Sequence, residues 1–432
     1  MIPDNIPIPL PGGLTTPLPR MVRATQTFVD DEITDVDAHV AAEFQKFAHV
    51  DLTGKSVAVA VGSRGIRSQP PVVKSVVNEL KKAGAIPFLV PAMGSHGGGT
   101  AEGQQKILEG YQMGEADTGA PIKSSMEVVK VADVGDMPVY CDKNAYEADY
   151  IIAVNRVKPH TSFRGPVESG LCKMLVIGLG KHTGAVEFHR RGMAVFGTIL
   201  PPTAEAFIAN TNLLCAVAIV ENGYEKLHTC EMVPPDQLIE RDTALQALSK
   251  TLIPRILLDK IDILVVDQLG KDISGGGMDP NVTGRNASNS KDFGGPDIHR
   301  IIVRDLTPGT EGNATGMGVA DLTTQRMLRK INWTKTYVNL ATAGSPGGAV
   351  LPMVANTDAD ALFLAMRSCP MATAEGVRIM RIENTLDLGE VWISTAMIPD
   401  AEAHPKMAVI SEPFDMPIDD AGDLADFHHK GA

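Results

Sequence analysis

The sequence has few cysteines, and none of them form the pairs that mark a structural metal site. Its five cysteines lie between residues 141 and 369, and no two are separated by two residues. A zinc ribbon and a disulfide framework are therefore not expected, and we predict five reduced, mostly buried thiols in a cytoplasmic protein. The amino terminus lacks a basic segment followed by a continuous apolar run, so we predict no signal peptide.

Long apolar runs and an excess of basic charge are also absent. No uninterrupted apolar run reaches about 18 residues, the length that indicates a membrane span, so we predict no membrane partner. The formal net charge of −13 argues against a nucleic-acid partner, since binding a polyanion needs concentrated basic charge. A local basic pocket for a small anion remains compatible with this composition.

The length and apolar content predict a globular protein of two domains. The chain has 432 residues, of which 44% are hydrophobic, and a single hydrophobic core usually stops growing at a shorter length. We predict an N-terminal α/β domain over residues 1–256 and a C-terminal α/β domain over residues 257–400. The tail, residues 401–432, is expected to pack back on the N-terminal domain or to fray.

Short apolar runs alternate with helical patterns along the chain. Strands are predicted at residues 56–61, 86–90, 150–154, 261–266, 301–303, 335–340 and 391–396. Helices are predicted at residues 70–80 and 104–113. This alternation predicts an α/β fold: two α/β domains with mainly parallel sheets and an active-site cleft between them.

Arginines follow the first predicted strand, directly before a helix. The segment of residues 62–67 contains Ser63, Arg64 and Arg67. Helix amino-terminal amides and guanidinium groups both favour an anion such as a phosphate or a carboxylate. The alternative is a plain turn with solvated arginines.

Histidines lie in the loops after two further predicted strands, where ligands bind in open parallel sheets. His96 lies in a glycine-rich loop that includes Gly94, Ser95 and Gly97, and glycines let the backbone approach a ligand closely. His160 follows Pro159, which stiffens its loop. Taken singly, each histidine could be structural, but two histidines from different loops can face each other across a cleft as acid and base.

One lysine, Lys173, lies within an apolar stretch. Burying an ammonium group is costly, so such a lysine is either snorkelling to solvent or chemically used. A depressed pKa would make it a candidate for covalent attachment. His182 and His189 follow on a predicted helix, seven residues apart, and either could be structural.

The order of these residues resembles the nickel-pincer-nucleotide-dependent lactate racemase family. The resemblance is carried by Gly94-Ser95-His96, by Pro159-His160, and by Lys173 with His189 sixteen residues later. It implies that His96 and His160 are the paired acid and base. Lys173 would carry the nucleotide, pyridinium-3-thioamide-5-thiocarboxylic acid mononucleotide, as a covalent adduct, and His189 would be the protein ligand to nickel.

The same resemblance implies further contacts and an activity. The cofactor would also meet Ser63, Gly94, Ser95 and Gly97, and the substrate would meet Arg67, Arg64, Lys271 and Arg285. Arg64 stands where the family has an aspartate, and Ser68 where it has a proline. The implied enzyme is a racemase or epimerase of a 2-hydroxy acid or related sugar acid. Its partners would be a small anionic substrate and the enzymes that make the cofactor.

Three other functions fit the sequence less well. A nicotinamide-dependent 2-hydroxy acid dehydrogenase would need a GxGxxG loop after a strand, and none follows a predicted strand. A non-catalytic homologue that binds a nucleotide or anion would not need both His96 and His160. A zinc hydrolase would need a metal-binding spacing that His182 and His189 do not provide.

Overall fold

The computed structural model describes residues 3, 5–11, 13–14, 16–62, 66–287, 293–370 and 372–428. Ser63 and Arg64, two of the predicted site residues, lie outside the described residues. The chain divides into two compact units, one formed by residues 29–253 and the other by residues 1–28 together with residues 254–432.

Fifteen strands are found in the described part of the chain. They are β1 (Met21–Gln26), β2 (Ser56–Val61), β3 (Ile86–Pro91), β4 (Val128–Val134), β5 (Met137–Asp142), β6 (Tyr150–Arg156), β7 (Leu213–Glu221), β8 (Leu227–Val233), β9 (Lys260–Leu269), β10 (Asp297–Leu306), β11 (Leu322–Thr324), β12 (Met353–Ala355), β13 (Ile379–Ile382), β14 (Glu390–Ser394) and β15 (Met407–Val409).

The helices lie mostly between these strands. They are α1 (Val36–Phe44), α2 (Gln69–Lys82), α3 (Ala101–Gly110), α4 (Glu115–Thr118), α5 (Lys143–Tyr146), α6 (Leu171–Lys173), α7 (Lys181–His189), α8 (Phe196–Ala209), α9 (Leu238–Leu252), α10 (Pro280–Thr283), α11 (Gln325–Lys330), α12 (Trp333–Thr342), α13 (Asp358–Ser368) and α14 (Ile398–Ala403). A π-helical turn, Met174–Gly178, follows α6 directly.

The unit of residues 29–253 is built on a five-stranded sheet in the order β3-β2-β6-β7-β8. The first four strands are parallel, and β8 runs antiparallel to β7. Helices α6 to α9 pack on one face and α1 to α3 on the other, each over its own apolar core. The runs of β2, β6 and β7 are apolar on both faces because both are covered by helices.

The second unit is built on an eight-stranded mixed sheet in the order β12-β11-β10-β9-β13-β14-β1-β15. Strands β12, β11, β10, β9 and β13 are parallel, and β14, β1 and β15 pair antiparallel. Helices α11 and α14 contribute to the apolar core on one face, and α13 with the carboxyl-terminal tail covers the other. Both units are therefore α/β with mostly parallel sheets, as the sequence predicts.

One predicted strand is a helix in the structure. Residues 335–340, predicted as a strand, lie in helix α12, because the side chain of Asn332 accepts a hydrogen bond from Lys335 N and begins a helix there. The buried Thr336 and Leu340 are four residues apart, a helical rather than a strand spacing.

The division of the chain also differs from the predicted domains. Residues 1–28 group with the C-terminal part because β1 pairs with both β14 and β15. The tail packs on that same unit, where Phe414 N donates to Met21 O at 2.8 Å and Arg304 Nη2 donates to Leu424 O at 2.7 Å. The predicted packing of the tail on the N-terminal domain is therefore replaced by packing within its own unit.

Within the described residues, no single helix is long and apolar enough to cross a membrane. One bent pair of helices, Lys181–His189 with Met193–Ala209, passes by length and composition alone, with a bend of 92°. The five cysteines, all within the described residues, are buried and unbridged.

Candidate active site

The loop after β3 places His96 at the carboxyl edge of the five-stranded sheet. Gly94 N donates to Gly178 O at 3.2 Å, which ties this loop to the π-helical turn. The buried side-chain amide of Gln104 donates to Gly94 O at 2.8 Å and to His96 O at 3.2 Å. The loop is therefore fixed through its backbone, while the His96 side chain itself is exposed.

The conformation of this loop requires glycine at position 97. Its φ is +64°, a left-handed conformation that side chains rarely adopt. A Cβ at this position would also lie 2.7 Å from Gln104 N. Gly97 therefore allows the loop to approach the first turn of α3, and its predicted cofactor contact stays a prediction.

The loop after β6 places His160 at the same edge of the same sheet. The amide of His160 donates to Glu168 Oε2 at 2.8 Å, and the carboxylate of Glu168 is fully buried. That carboxylate also pairs with Arg164 at 3.0 Å and with Lys250 at 2.7 Å. Charge-assisted bonds of this kind are about twice as strong as neutral ones, so Glu168 fixes the loop.

The ring of His160 is oriented by its own loop. Its Nδ1 accepts a hydrogen bond from Ser162 N at 3.0 Å, so in the neutral ring the proton lies on Nε2. The ring also packs on Phe163, with 4.3 Å between ring centroids. In this conformation the neutral ring carries its N–H at Nε2.

A row of aromatic rings connects His160 with His189. Phe163 contacts Phe196 edge to face at 5.2 Å between centroids, and Phe196 contacts His189 at 5.2 Å. Phe163 and Phe196 are buried. The two predicted site histidines therefore lie at the two ends of one aromatic row within the unit of residues 29–253.

Lys173 and His189 are brought close enough to interact electrostatically. Burial lowers the pKa of His189, the hydrogen bond with Ala185 O opposes that shift, and the positive charge of Lys173 lowers the pKa further. The His189 Nδ1 lies 2.6 Å from Ala185 O, so Nδ1 is the protonated nitrogen and Nε2 carries the lone pair. A neutral imidazole with its Nε2 lone pair exposed is a common metal ligand.

A buried carboxylate supports the short helix that carries Lys173. Asp242 Oδ2 accepts from Cys172 N at 2.9 Å, and burial raises the pKa of Asp242. A Cβ on Gly170 would lie 2.1 Å from Asp242 Oδ1, so glycine is needed for this approach. Asp242 thereby satisfies backbone donors at the start of α6, one residue before the predicted attachment lysine.

Arg67 is exposed after β2, among charged residues at the ends of β6 and β7. Burial and then Glu221 raise the pKa of Glu225, whereas the charges of Arg156, Arg67 and Lys158 lower it. Glu221 pairs with Arg156 and accepts from Ser68 N at 3.0 Å. The structure thus surrounds Arg67 with both signs of charge rather than with cations alone.

The two candidates from the second unit, Lys271 and Arg285, lie at opposite ends of its sheet. Lys271 follows β9, and its Nζ donates to Gly275 O at 2.6 Å. Arg285 donates to Ile298 O at 2.9 Å and pairs with Asp321 at 2.6 Å, at the amino-terminal part of β10. The structure does not bring these two together, and Arg285 supports the sheet through these bonds.

Several residues of the site region were missed by the sequence analysis. They are Gln104, Asp142, Glu168, Lys181 and Asp242. Each is a polar residue that becomes buried only when the chain folds, and each bonds to backbone or side-chain groups of the unit of residues 29–253. The sequence held one signal for this group: Lys181, eight residues after Lys173, stands next to Gly180 in an otherwise apolar segment.

The described residues contain no cluster of three or more His, Cys, Asp or Glu side chains that could hold a metal ion. A metal held entirely by protein ligands therefore has no candidate site in this part of the chain. A metal held by one imidazole and by a bound cofactor does not require such a cluster.

A family model described as a domain of unknown function, DUF362, matches residues 58–281, more than half of the chain. The chain belongs to the DUF362 family. The match covers the carboxyl-edge loops of the five-stranded sheet and continues into the second unit. No curated protein matches the chain.

Among solved structures, this DUF362 protein is similar to the lactate racemase apoprotein from Thermoanaerobacterium thermosaccharolyticum. The TM-score is 0.50 at 12% sequence identity, over 84% of this chain and 94% of the other. At that identity the similarity shows a shared α/β fold and nothing finer. The fold implied by the resemblance in the sequence is confirmed at this level, whereas the residue roles remain predictions.

Proposed function

We propose that this protein is an isomerase that inverts the hydroxyl-bearing carbon of a 2-hydroxy acid or a related sugar acid. One observation carries the proposal: the loops of His96 and His160 lie at the carboxyl edge of one sheet, and the segment from Lys173 to His189 packs against them. Ligands bind at this edge in open parallel sheets. The racemase-like fold supports the same function.

The residues present fit a nickel-pincer nucleotide attached to Lys173. His189 is neutral at physiological pH because burial lowers its pKa, and its Nε2 is available as a nickel ligand. Lys173 is half-buried and lies close enough to His189 to affect it, so one group could be bonded to the lysine and reach the imidazole. The fully buried Asp242 and the glycine at 170 support the backbone beneath the lysine.

The chemistry that the nucleotide supplies when bound is the reversible acceptance of the carbon-bound hydrogen as hydride. The protein's own residues handle the hydroxyl proton. Each enantiomer presents its hydroxyl group to a different side, so a histidine is needed on each. His160 can donate from Nε2 while Ser162 N binds its Nδ1, and accepting a proton at Nε2 requires that hydrogen bond to break.

The substrate is proposed to be a small anion because Arg67 and Lys158, the latter two residues before His160, both lie close enough to Glu225 to lower its pKa, and Arg156 is paired with Glu221. Ser63 and Arg64, which lie outside the described residues, stay in the proposal as further contacts. The partners proposed are this substrate and the enzymes that make the cofactor, in the cytoplasm, with neither nucleic acid nor membrane involved.

Co-expression with enzymes that make the nickel-pincer nucleotide tests the cofactor assignment. Peptide mass spectrometry should find the adduct on the peptide that contains Lys173, with one nickel ion bound per chain. Lys173→Arg should abolish the adduct, and His189→Phe should keep the adduct but lose the nickel. Lys106→Arg, on the exposed face of α3, is the control and should change neither. An unmodified Lys173 in the wild-type protein would contradict the assignment.

A further inference from the structure

The first residue of α7, three residues after the π-helical turn, is a buried lysine. Lys181 is 0% exposed, and its Nζ lies 2.6 Å from Gln104 Oε1, 2.7 Å from Pro91 O and 3.5 Å from Asp142 Oδ2. Two of the three ammonium N–H donors bond to Gln104 Oε1 and Pro91 O, whereas Asp142 Oδ2 lies at ion-pair distance without a hydrogen bond.

The position of Lys181 is costly in two ways. Burial lowers the pKa of Lys181, and the charge of Asp142 opposes that shift. Its backbone φ is +55°, a left-handed conformation that residues other than glycine rarely adopt. Such arrangements persist where the surrounding structure requires them, and they concentrate at functional sites.

Gln104 connects this lysine to the His96 loop. Its Oε1 accepts from Lys181, so its Nε2 points the other way and donates to Gly94 O at 2.8 Å and His96 O at 3.2 Å. An ammonium can only donate, so it selects the orientation of the amide. The lysine thereby determines which end of the Gln104 side chain meets the loop.

We propose that Lys181 and Gln104 are positioning residues that fix His96 relative to the segment carrying Lys173 and His189. Lys181 lies between Lys173 and His189 in the chain, so one short segment carries the predicted cofactor ligands and the support of the His96 loop. Gly94 N, which donates to Gly178 O, joins the same two parts from the other side. The effect on catalysis rests on the proposed function, whereas the effect on the loop does not.

Hydrogen–deuterium exchange on the full-length, cofactor-free protein tests the structural half. Gln104→Glu keeps an acceptor for Lys181 but cannot donate to Gly94 O or His96 O. Exchange of the amides of residues 94–99 should rise about tenfold, the effect of losing hydrogen bonds worth a factor of ten in a local opening equilibrium. Gln105→Leu removes an exposed side-chain bond to Glu109 on the same helix and is the control.

A second variant tests the lysine without leaving an unpaired buried charge. Lys181→Met combined with Asp142→Asn removes both charges, so the fold is not penalised by a lone carboxylate. The same loop amides should exchange faster, while those of β2 and β6 keep wild-type rates. Unchanged loop exchange in Gln104→Glu, or a rise spread evenly over the whole unit, would overturn the proposal.

The effect on catalysis is measured by comparing the changes in kcat and KM. Gln104→Glu should lower kcat about tenfold or more and leave KM within twofold, because the proposed function assigns the hydroxyl proton to His96 and the substrate carboxylate to the arginines. A wild-type protein that inverts no hydroxy acid would refute the proposed function and leave the exchange result intact. Faster loop exchange with unchanged kcat would refute the positioning role alone.

Discussion

Gly103→Ala should slow the proposed inversion by about 100-fold, because the added methyl group would displace the His96 loop. An ideal Cβ at Gly103 would lie 2.0 Å from Gly97 O and 2.8 Å from Thr100 Oγ1. Non-bonded atoms sit about 3.5 Å apart at optimal separation, so the loop or the helix must move by at least about 1 Å. A displacement of about 1 Å in a catalytic geometry costs on the order of 100-fold in rate.

The same substitution should lower the free energy of unfolding by about 1–3 kcal/mol, the usual cost of overpacking. The control is Gly110→Ala at the end of the same helix, where an added Cβ meets nothing within 4 Å. Alanine there should stabilise the protein by up to about 1 kcal/mol and leave the rate unchanged. The assays are urea unfolding and polarimetry of the loaded enzyme. Wild-type stability and rate in Gly103→Ala would refute the packing argument.

Three further predictions concern the stability of the protein, its dependence on pH and the labelling of its thiols. Glu168→Ala should lower the free energy of unfolding, measured in urea, by about 3 kcal/mol, because it breaks a buried ion pair whose lysine partner is partly exposed. The control is Glu127→Gln, at an exposed ion pair, which should leave the free energy of unfolding unchanged. The pKa of His189 is lowered from 6.5, so the contribution of this histidine to stability is present above pH 6.5 and is lost as the pH falls below that value. The urea midpoint of the wild-type protein should therefore vary more over that range than the midpoint of His189→Gln. Burial raises the pKa of Cys230 to about 12 and of Cys369 to about 11, so iodoacetamide should label neither in the native protein near neutral pH, and rapid labelling would contradict the packing.

Local sequence patterns predicted the strands that are buried on both faces. The runs at residues 56–61, 150–154 and 261–266 fall within β2, β6 and β9, because continuous apolar stretches bounded by turns are typical of central parallel strands. Strand β1 was missed because it is short and partly polar, and because it is stabilised by β14 and β15, both more than 360 residues away in the chain. Pairing over that separation leaves no local pattern.

The predicted strand at residues 335–340 shows how local patterns fail. The consecutive residues Thr336, Tyr337 and Val338 favour a strand by their β propensity. The helix cap at Asn332 and the burial of Thr336 and Leu340 instead stabilise α12. Tertiary packing overrides weak β propensity in such segments. The extent of this helix depends on contacts that the sequence does not display.

The candidate site was predicted in part. The residues proposed to react, His96, His160, Lys173 and His189, stand out because their spacing and their place after strands are visible in the sequence. Their supports were not predicted: Glu168 and Gln104 look like ordinary surface residues until folding buries them. A polar side chain shows its role only through its partners, and those come from distant parts of the chain.

The most direct test of the proposed reaction follows deuterium placed on the hydroxyl-bearing carbon. A panel of 2-hydroxy acids and sugar acids, each deuterated there, is incubated in ordinary water with the cofactor-loaded protein. Inversion by hydride transfer predicts that one substrate loses its optical rotation while the deuterium stays on that carbon. Loss of the deuterium to water would contradict hydride transfer, and unchanged optical rotation across the whole panel would contradict the proposed isomerase.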